Sequence, residues 1–218
     1  MFCVTAAAHT NAVLKKCAYL ATTLLLHPNH PLALLLTNTI QRDLASDNYL
    51  VVAAALDAAC RLVTRETFSA LLPSVLPRLT DTRPLIRKKA CLFLTRGVRL
   101  DPDTFALACD PHVRGALADR DPSVLHAAVP LLLTVVEESQ AMRTKLRRIA
   151  PALVGILTQI LERRLPRSYD YHRVPAPFLQ LHLVRVLCLL AENHPATGEG
   201  VDRVLQAVLS QVGVRGRS

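Results

Sequence analysis

Apolar residues in this chain come in long runs, broken at regular intervals by Pro, Asp and Asn. The breaks lie at His27–Pro31, Ala45–Asn48, Thr80–Pro84, Asp101–Pro102, Asp119–Pro122 and Asn193–Pro195. The runs between them are mostly about 13–18 residues long, which suits helices and is too long for strands. The pattern predicts helices over 12–26, 31–45, 48–63, 67–79, 84–99, 103–117, 122–138, 143–163, 176–192 and 199–212.

One stripe recurs inside these segments. Val51, Ala55, Ala58 and Leu62 are spaced 4-3-4, as are Ile86, Ala90, Phe93 and Gly97. Val124, Ala128, Leu131 and Val135 repeat the spacing, and so do Leu179, Leu183, Val186 and Leu190. That spacing puts four residues on one face of a helix. Ser46, Asp81 and Asp119 each stand five residues before a stripe, placed to cap a helix or to shape the turn before it. Asp81, Ile86-Arg87 and Ala90 resemble the signature of HEAT repeats; Asp119, Val124 and Ala128 keep the register, with Leu125 in place of the Arg. The expected fold is all-α, a HEAT/armadillo-like solenoid of stacked helical pairs.

The stripes are offset by 35, 38 and 55 residues. The last interval holds an extra segment, Arg163 to Pro177, with three Pro and two of the four Tyr. Residues before Pro are pushed towards extended backbone, so an ordered loop is expected there. The chain divides on this basis into an unpatterned N-terminal extension over 1–11, a helical-repeat trunk over 12–212 that is expected to be partial, and a disordered Gly- and Arg-rich tail over 213–218.

Composition supports helix packed on helix: 51% of residues are hydrophobic, only 4% are aromatic, and there is no Trp. The net charge of +9 suits an anionic partner, whether acidic protein, lipid or nucleic acid. Six cysteines, at 3, 17, 60, 91, 109 and 188, form no C-x-x-C pair and mostly fall in apolar helical pattern, as buried thiols in a reducing compartment do. The N-terminus lacks the pattern of a signal peptide. The longest apolar runs, Ala18–Leu26 and Val129–Val136, are shorter than the ~20 residues of a membrane span. A cytoplasmic protein with at most peripheral membrane contact is expected.

Catalytic chemistry is not legible. His27 and His30 flank a turn without further metal donors nearby. The pairs Asp101/Asp103, Asp119/Asp121 and Glu137/Glu138 stand where capping and surface charge account for them. Gly198-Glu199-Gly200 follows no strand and reads as a turn, and no nucleophile or phosphate-loop motif occurs. No enzyme activity, metal or cofactor is expected. The basic residues Lys15, Lys16, Arg87, Lys88, Lys89, Arg163, Arg164 and Arg167 are candidate contacts to an anionic surface or partner. Arg143, Lys145, Arg147 and Arg148 gather at the expected start of helix 143–163, where they oppose the helix dipole and so suit a ligand. No aromatic platform interleaves with these clusters, so nucleic acid is not expected.

Several segments resemble the large-chain trunk of clathrin-type adaptor complexes. They are Lys15-Lys16-Cys17-Ala18-Tyr19-Leu20-Ala21 followed by Leu24-Leu25-Leu26-His27; Leu36 to Leu44 running into Ser46-Asp47-Asn48; Ile86-Arg87-Lys88-Lys89-Ala90; and Asp119 to Val124. Within that family, Arg164-Leu165-Pro166 and the run Tyr169 to Gln180 resemble the epsilon type of chain of adaptor complex four. The gamma type is similar at Pro177 to Gln180, and the alpha type shares Val174 to Pro177.

The resemblance implies a non-enzymatic scaffold in a heterotetramer with a beta-type adaptin, a mu medium chain and a sigma small chain. It further implies recruitment by an Arf-family GTPase to trans-Golgi or endosomal membranes, for vesicle-mediated protein transport. By its match in the gamma type, Leu35 is a candidate Arf contact. A HEAT-repeat scaffold for nuclear transport or a nucleic-acid-associated assembly is the alternative.

Overall fold

The computed structural model describes residues 2–104, 110–192, 194, 198, 201, 202 and 204–206. Among them no strand forms; backbone pairing between extended residues is limited to one bridge, Tyr171 with Val174. The helices are α1 (Phe2–Ala6), α2 (Ala12–Leu25), α3 (Pro31–Leu34), α4 (Leu36–Leu44), α5 (Tyr49–Leu62), α6 (Arg65–Val75), α7 (Pro84–Leu100), α8 (Asp110–Leu117), α9 (Pro122–Glu138), α10 (Gln140–Leu146), α11 (Ala150–Leu161) and α12 (Pro177–Ala191). Short 3-10 turns cover Leu76–Thr80, Arg147–Ile149 and Arg167–Tyr169.

Local chemistry sets the helix starts. The side chains of Asn11, His30, Asn48, Thr64 and Ser139 each accept a backbone N–H from the first turn that follows. Pro31, Pro84, Pro122 and Pro177 open α3, α7, α9 and α12, positions where a missing N–H costs nothing. All four stripes read from the sequence are buried on their helices, Gly97 included. Gly97 is there because of its neighbour: a Cβ added to it would lie 1.9 Å from a Phe68 ring carbon. Phe68 in turn leans on Phe93, with ring centroids 5.7 Å apart.

The chain forms two compact units, Met1–Leu131 and Leu132–Ser218, with the boundary inside α9. In the first, α2, α5 and α7 pack side by side as one layer, and α4 and α6 back them as a second. In the second, α10 and α11 pack on α12.

Three expectations need correction. Helix 31–45 is broken at Leu35, which turns between α3 and α4 with φ −63° and ψ −22°. Helix 143–163 is two helices: α10 starts earlier, on the Ser139 cap, and a 3-10 turn separates it from α11, whose second residue is Pro151. Of the five described cysteines only Cys91 is buried, while Cys17 and Cys188 are exposed. Cys109, the middle of helix 103–117, most of helix 199–212, Glu199 and Gly200, and the tail over 213–218 lie outside the described residues.

Candidate functional site

The turns before the repeats share one device. Ser46 Oγ accepts the N–H of Asn48 at 3.1 Å, Asp81 Oδ1 that of Arg83 at 2.9 Å, and Asp119 Oδ1 that of Asp121 at 2.9 Å. Each side chain bends the backbone two residues ahead, so these residues shape the turns, while Asn48 and Asp121 accept the next N–H groups. The histidines work similarly: His27 Nδ1 accepts from Asn29 and His30 Nδ1 from Leu32.

Arg87 ties two of these turns together. Its Nε and Nη2 donate to Asp119 Oδ2 and Oδ1 at 2.6 and 2.9 Å, and its Nη1 donates to the Asp81 carbonyl at 2.8 Å. A planar guanidinium suits that three-point geometry. The Arg87 hydrogen bond holds the Asp119 carboxyl below the usual carboxylate range, against the opposing effect of burial. Lys15 is buried too. Its Nζ donates to both carboxylate oxygens of Asp43, and Asp43 Oδ2 also accepts the Tyr19 hydroxyl at 2.7 Å. Burial, and then the Asp43 carboxylate, push the Tyr19 phenol far up. Burial also pushes the Cys91 thiol up to about 12.

These contacts sort the basic candidates. Lys15 and Arg87 are committed to internal partners, and Lys89 pairs with Asp57 on α5. Lys16 is exposed and Lys88 half-buried. Arg163 pairs with Asp170 at 3.4 Å and Arg164 with Glu162 at 2.7 Å, both near solvent, and Arg167 is exposed. Arg143 and Lys145 occupy the last turn of α10, not a helix start, so the dipole favours them. Arg143 binds the Glu192 carboxylate at 2.8 Å, and Arg147 the Glu192 carbonyl at 3.0 Å. They close the end of α12 and are not held for a ligand. Leu35 is 55% exposed at its helix break, beside exposed Leu34.

The composite surface that sequence reasoning missed lies on the outer side of α2, α5 and α7. Three cross-helix contacts fix the register of α5 against α7. Arg83 stacks over the Tyr49 ring at 4.3 Å, Lys89 meets Asp57, and the Cys60 thiol points to the Leu92 carbonyl. The contacts advance together along both helices, so the two run parallel. Val13, Leu50 and Leu85 are each the second residue of their helix, and all are exposed. Leu20 and Leu24 on α2, Asp57 and Arg61 on α5, and Leu92 and Arg96 on α7 are exposed as well. Lys16, Leu20, Asp57 and Arg61 line one groove between α2 and α5. The signal was available as exposed-face residues at matching helix positions, but buried stripes alone do not report it.

Among the described residues no three His, Cys, Asp or Glu side chains gather to hold a metal ion. No helix among them is long and apolar enough to cross a membrane.

Comparison with known proteins agrees with the fold. The family described as Adaptin N terminal region matches residues 1–216. The AP-4 complex subunit epsilon of Arabidopsis thaliana is 41% identical over 195 residues, 89% of this chain and 20% of that protein. AP-4 complex subunit epsilon-1 of Mus musculus is 35% identical over 199 residues, 91% of this chain and 17% of its own length. The chain therefore spans about a fifth of these relatives. Among structures, a homology model of the full-length AP-3 complex superposes with TM-score 0.71 at 21% identity, covering 97% of this chain and 34% of that one. Kap95p, in a structure describing its binding to RanGDP, superposes with TM-score 0.67 at 15% identity, covering 96% of this chain and 27% of its own, a likeness of fold alone. With a family match across nearly its whole length and an all-helical repeat architecture, the chain belongs to the adaptin N-terminal family.

Proposed function

We propose that this chain is a non-enzymatic scaffold segment of the large subunit of a heterotetrameric vesicle-coat adaptor, of the AP-4 epsilon type. It acts in protein sorting between the trans-Golgi network and endosomes, from the cytoplasmic side and as a peripheral membrane protein. The observation that carries this is the exposed face of α2, α5 and α7, where Val13, Leu20, Leu50, Leu85 and Leu92 are all open to solvent. Large apolar residues gathered on one face mark an interaction surface. Packed helices present them at fixed spacing, so little ordering cost is left for binding.

The small sigma-type chain is the partner assigned to this face, with a beta-type adaptin and a medium mu chain completing the complex. Leu35, exposed with Leu34 at the α3–α4 break, is assigned to an Arf-family GTPase in its GTP form. The test is a pull-down from cytosol with the tagged chain, with Arf loaded with a GTP analogue or GDP, read by mass spectrometry. The expected result is recovery of sigma- and beta-type chains, and a GTP-dependent gain of Arf that Leu35→Glu removes. Recovery of import cargo or nucleic acid in their place would overturn the proposal.

A further inference from the structure

Between α11 and α12 the backbone does something it does nowhere else among the described residues. Arg163, His172, Arg173 and Ala176 have φ of 58°, 48°, 65° and 39°, and they are all of the described non-glycine residues with positive φ. Left-handed backbone is costly for L-residues and persists only where the surroundings enforce it. Here they do. Tyr171 and Val174 exchange backbone hydrogen bonds at 3.0 and 2.9 Å, closing a tight turn with His172 and Arg173 at its centre. Such turns ordinarily take Asn-Gly. Arg163 reaches across the loop to the Arg173 carbonyl at 3.0 Å and to Asp170 at 3.4 Å. Buried Gln180 donates to the Pro175 carbonyl.

The enforced turn puts apolar side chains outward. Tyr171 is 57% exposed, Phe178 60% and Leu181 66%, with the Tyr171 and Phe178 rings 5.8 Å apart. Phe178 and Leu181 lie three residues apart, on one face of the first turns of α12. The segment Glu162 to Leu181 that carries them holds Arg163, Arg164, Arg167 and Arg173 against two acids, Asp170 paired with Arg163 and Glu162 paired with Arg164, which leaves an excess of two positive charges. The patch is therefore an aromatic and aliphatic knob on a segment with an excess of positive charge.

We propose that this knob docks on the surface of a bilayer leaflet rich in anionic lipid. Tyr171, Phe178 and Leu181 enter the headgroup boundary, and the arginines stay at the phosphates. Aromatic side chains favour that depth, and arginine stems lie along apolar surface while their heads remain in water. Basic residues near an anionic leaflet add attraction that falls away with salt. A peptide ligand would need pockets for its side chains, whereas these residues project. The proposal rests on the membrane-coat assignment above and adds where on the chain the lipid is met.

Flotation of the purified chain with phosphatidylcholine vesicles, with and without about a third phosphatidylserine, tests this. Binding is expected only with the anionic lipid, and high salt should weaken it. Leu181→Ser, on an exposed helical face outside the turn, should weaken binding several-fold, Tyr171→Ser with Phe178→Ser about tenfold, and Arg167→Glu several-fold. Circular dichroism should show each variant folded and melting as the parent does. Parent-level binding by Leu181→Ser and by the Tyr171/Phe178 pair would overturn the proposal. So would equal binding to neutral vesicles, or competition by a soluble polyglutamate peptide that the same variants fail to bind. Recovery of a sigma-type chain in the pull-down alongside failed flotation would sink the lipid site and leave the scaffold assignment standing.

Discussion

The turn into α7 and the turn into α12 both redirect a helical chain, by opposite means. Before α7, Asp81 accepts the N–H of Arg83 and Pro84 opens the helix, so side chains and backbone agree. Arg87 then fastens that turn to Asp119. Before α12, no glycine or asparagine stands at the left-handed positions, and four other residues hold them. The first turn follows from local chemistry, with Arg87–Asp119 and the Arg83–Tyr49 stack as its long-range ties. The second exists because Arg163 and Gln180 impose it. Agreement between levels marks a structural repeat, and local conflict held by tertiary ties marks a place where side-chain position matters.

The largest expected effect comes from breaking a tie of the first kind where it is most buried. Asp43→Ala leaves the Lys15 charge buried without its partner and should cost about 3–5 kcal/mol in urea unfolding. Gly97→Ala drives a methyl into the Phe68 ring and should cost about 1–3 kcal/mol, seen as a lower melting temperature.

Arg87→Met removes four donated hydrogen bonds and the partner of Asp119; the expected loss at neutral pH is about 1.5–3 kcal/mol. Its sign with pH is set by the lowered Asp119 carboxyl. Stability from that pairing is present above the ordinary carboxylate range and is lost as pH falls through the lower folded value. Parent and variant should therefore converge in acid unfolding curves. The smallest effect belongs to the second turn. His172→Asn places a residue that tolerates φ 48° and should stabilise by about 0.5–1 kcal/mol. A loss there would mean that the Tyr171–His172 ring contact, not backbone strain, governs the turn.

The helical stripes were legible because 4-3-4 spacing leaves one face to bury, and all four stripes are buried. Beside Lys16, Lys15 has the pattern of a surface residue. Yet Lys15, Ala18, Tyr19 and Thr22 share one helical face, and the structure buries all four. Arg143 has the look of a helix-start residue, but the Ser139 cap starts the helix at Gln140, three residues earlier. The break at Leu35 carries no Gly, and Pro31 lies a turn upstream, so nothing local announced it. The strain before α12 was illegible for the same reason: Arg, His and Ala are not the residues that signal left-handed backbone.

The measurement that tests the scaffold assignment most directly is co-purification with a co-expressed sigma-type small chain, comparing the parent with Leu50→Glu/Leu85→Glu. Both leucines are exposed, so the variant should fold and melt as the parent does. A stable complex with the parent that the double variant loses is the predicted result. Undiminished complex formation by the folded variant, or none by either, would contradict the assignment of this face.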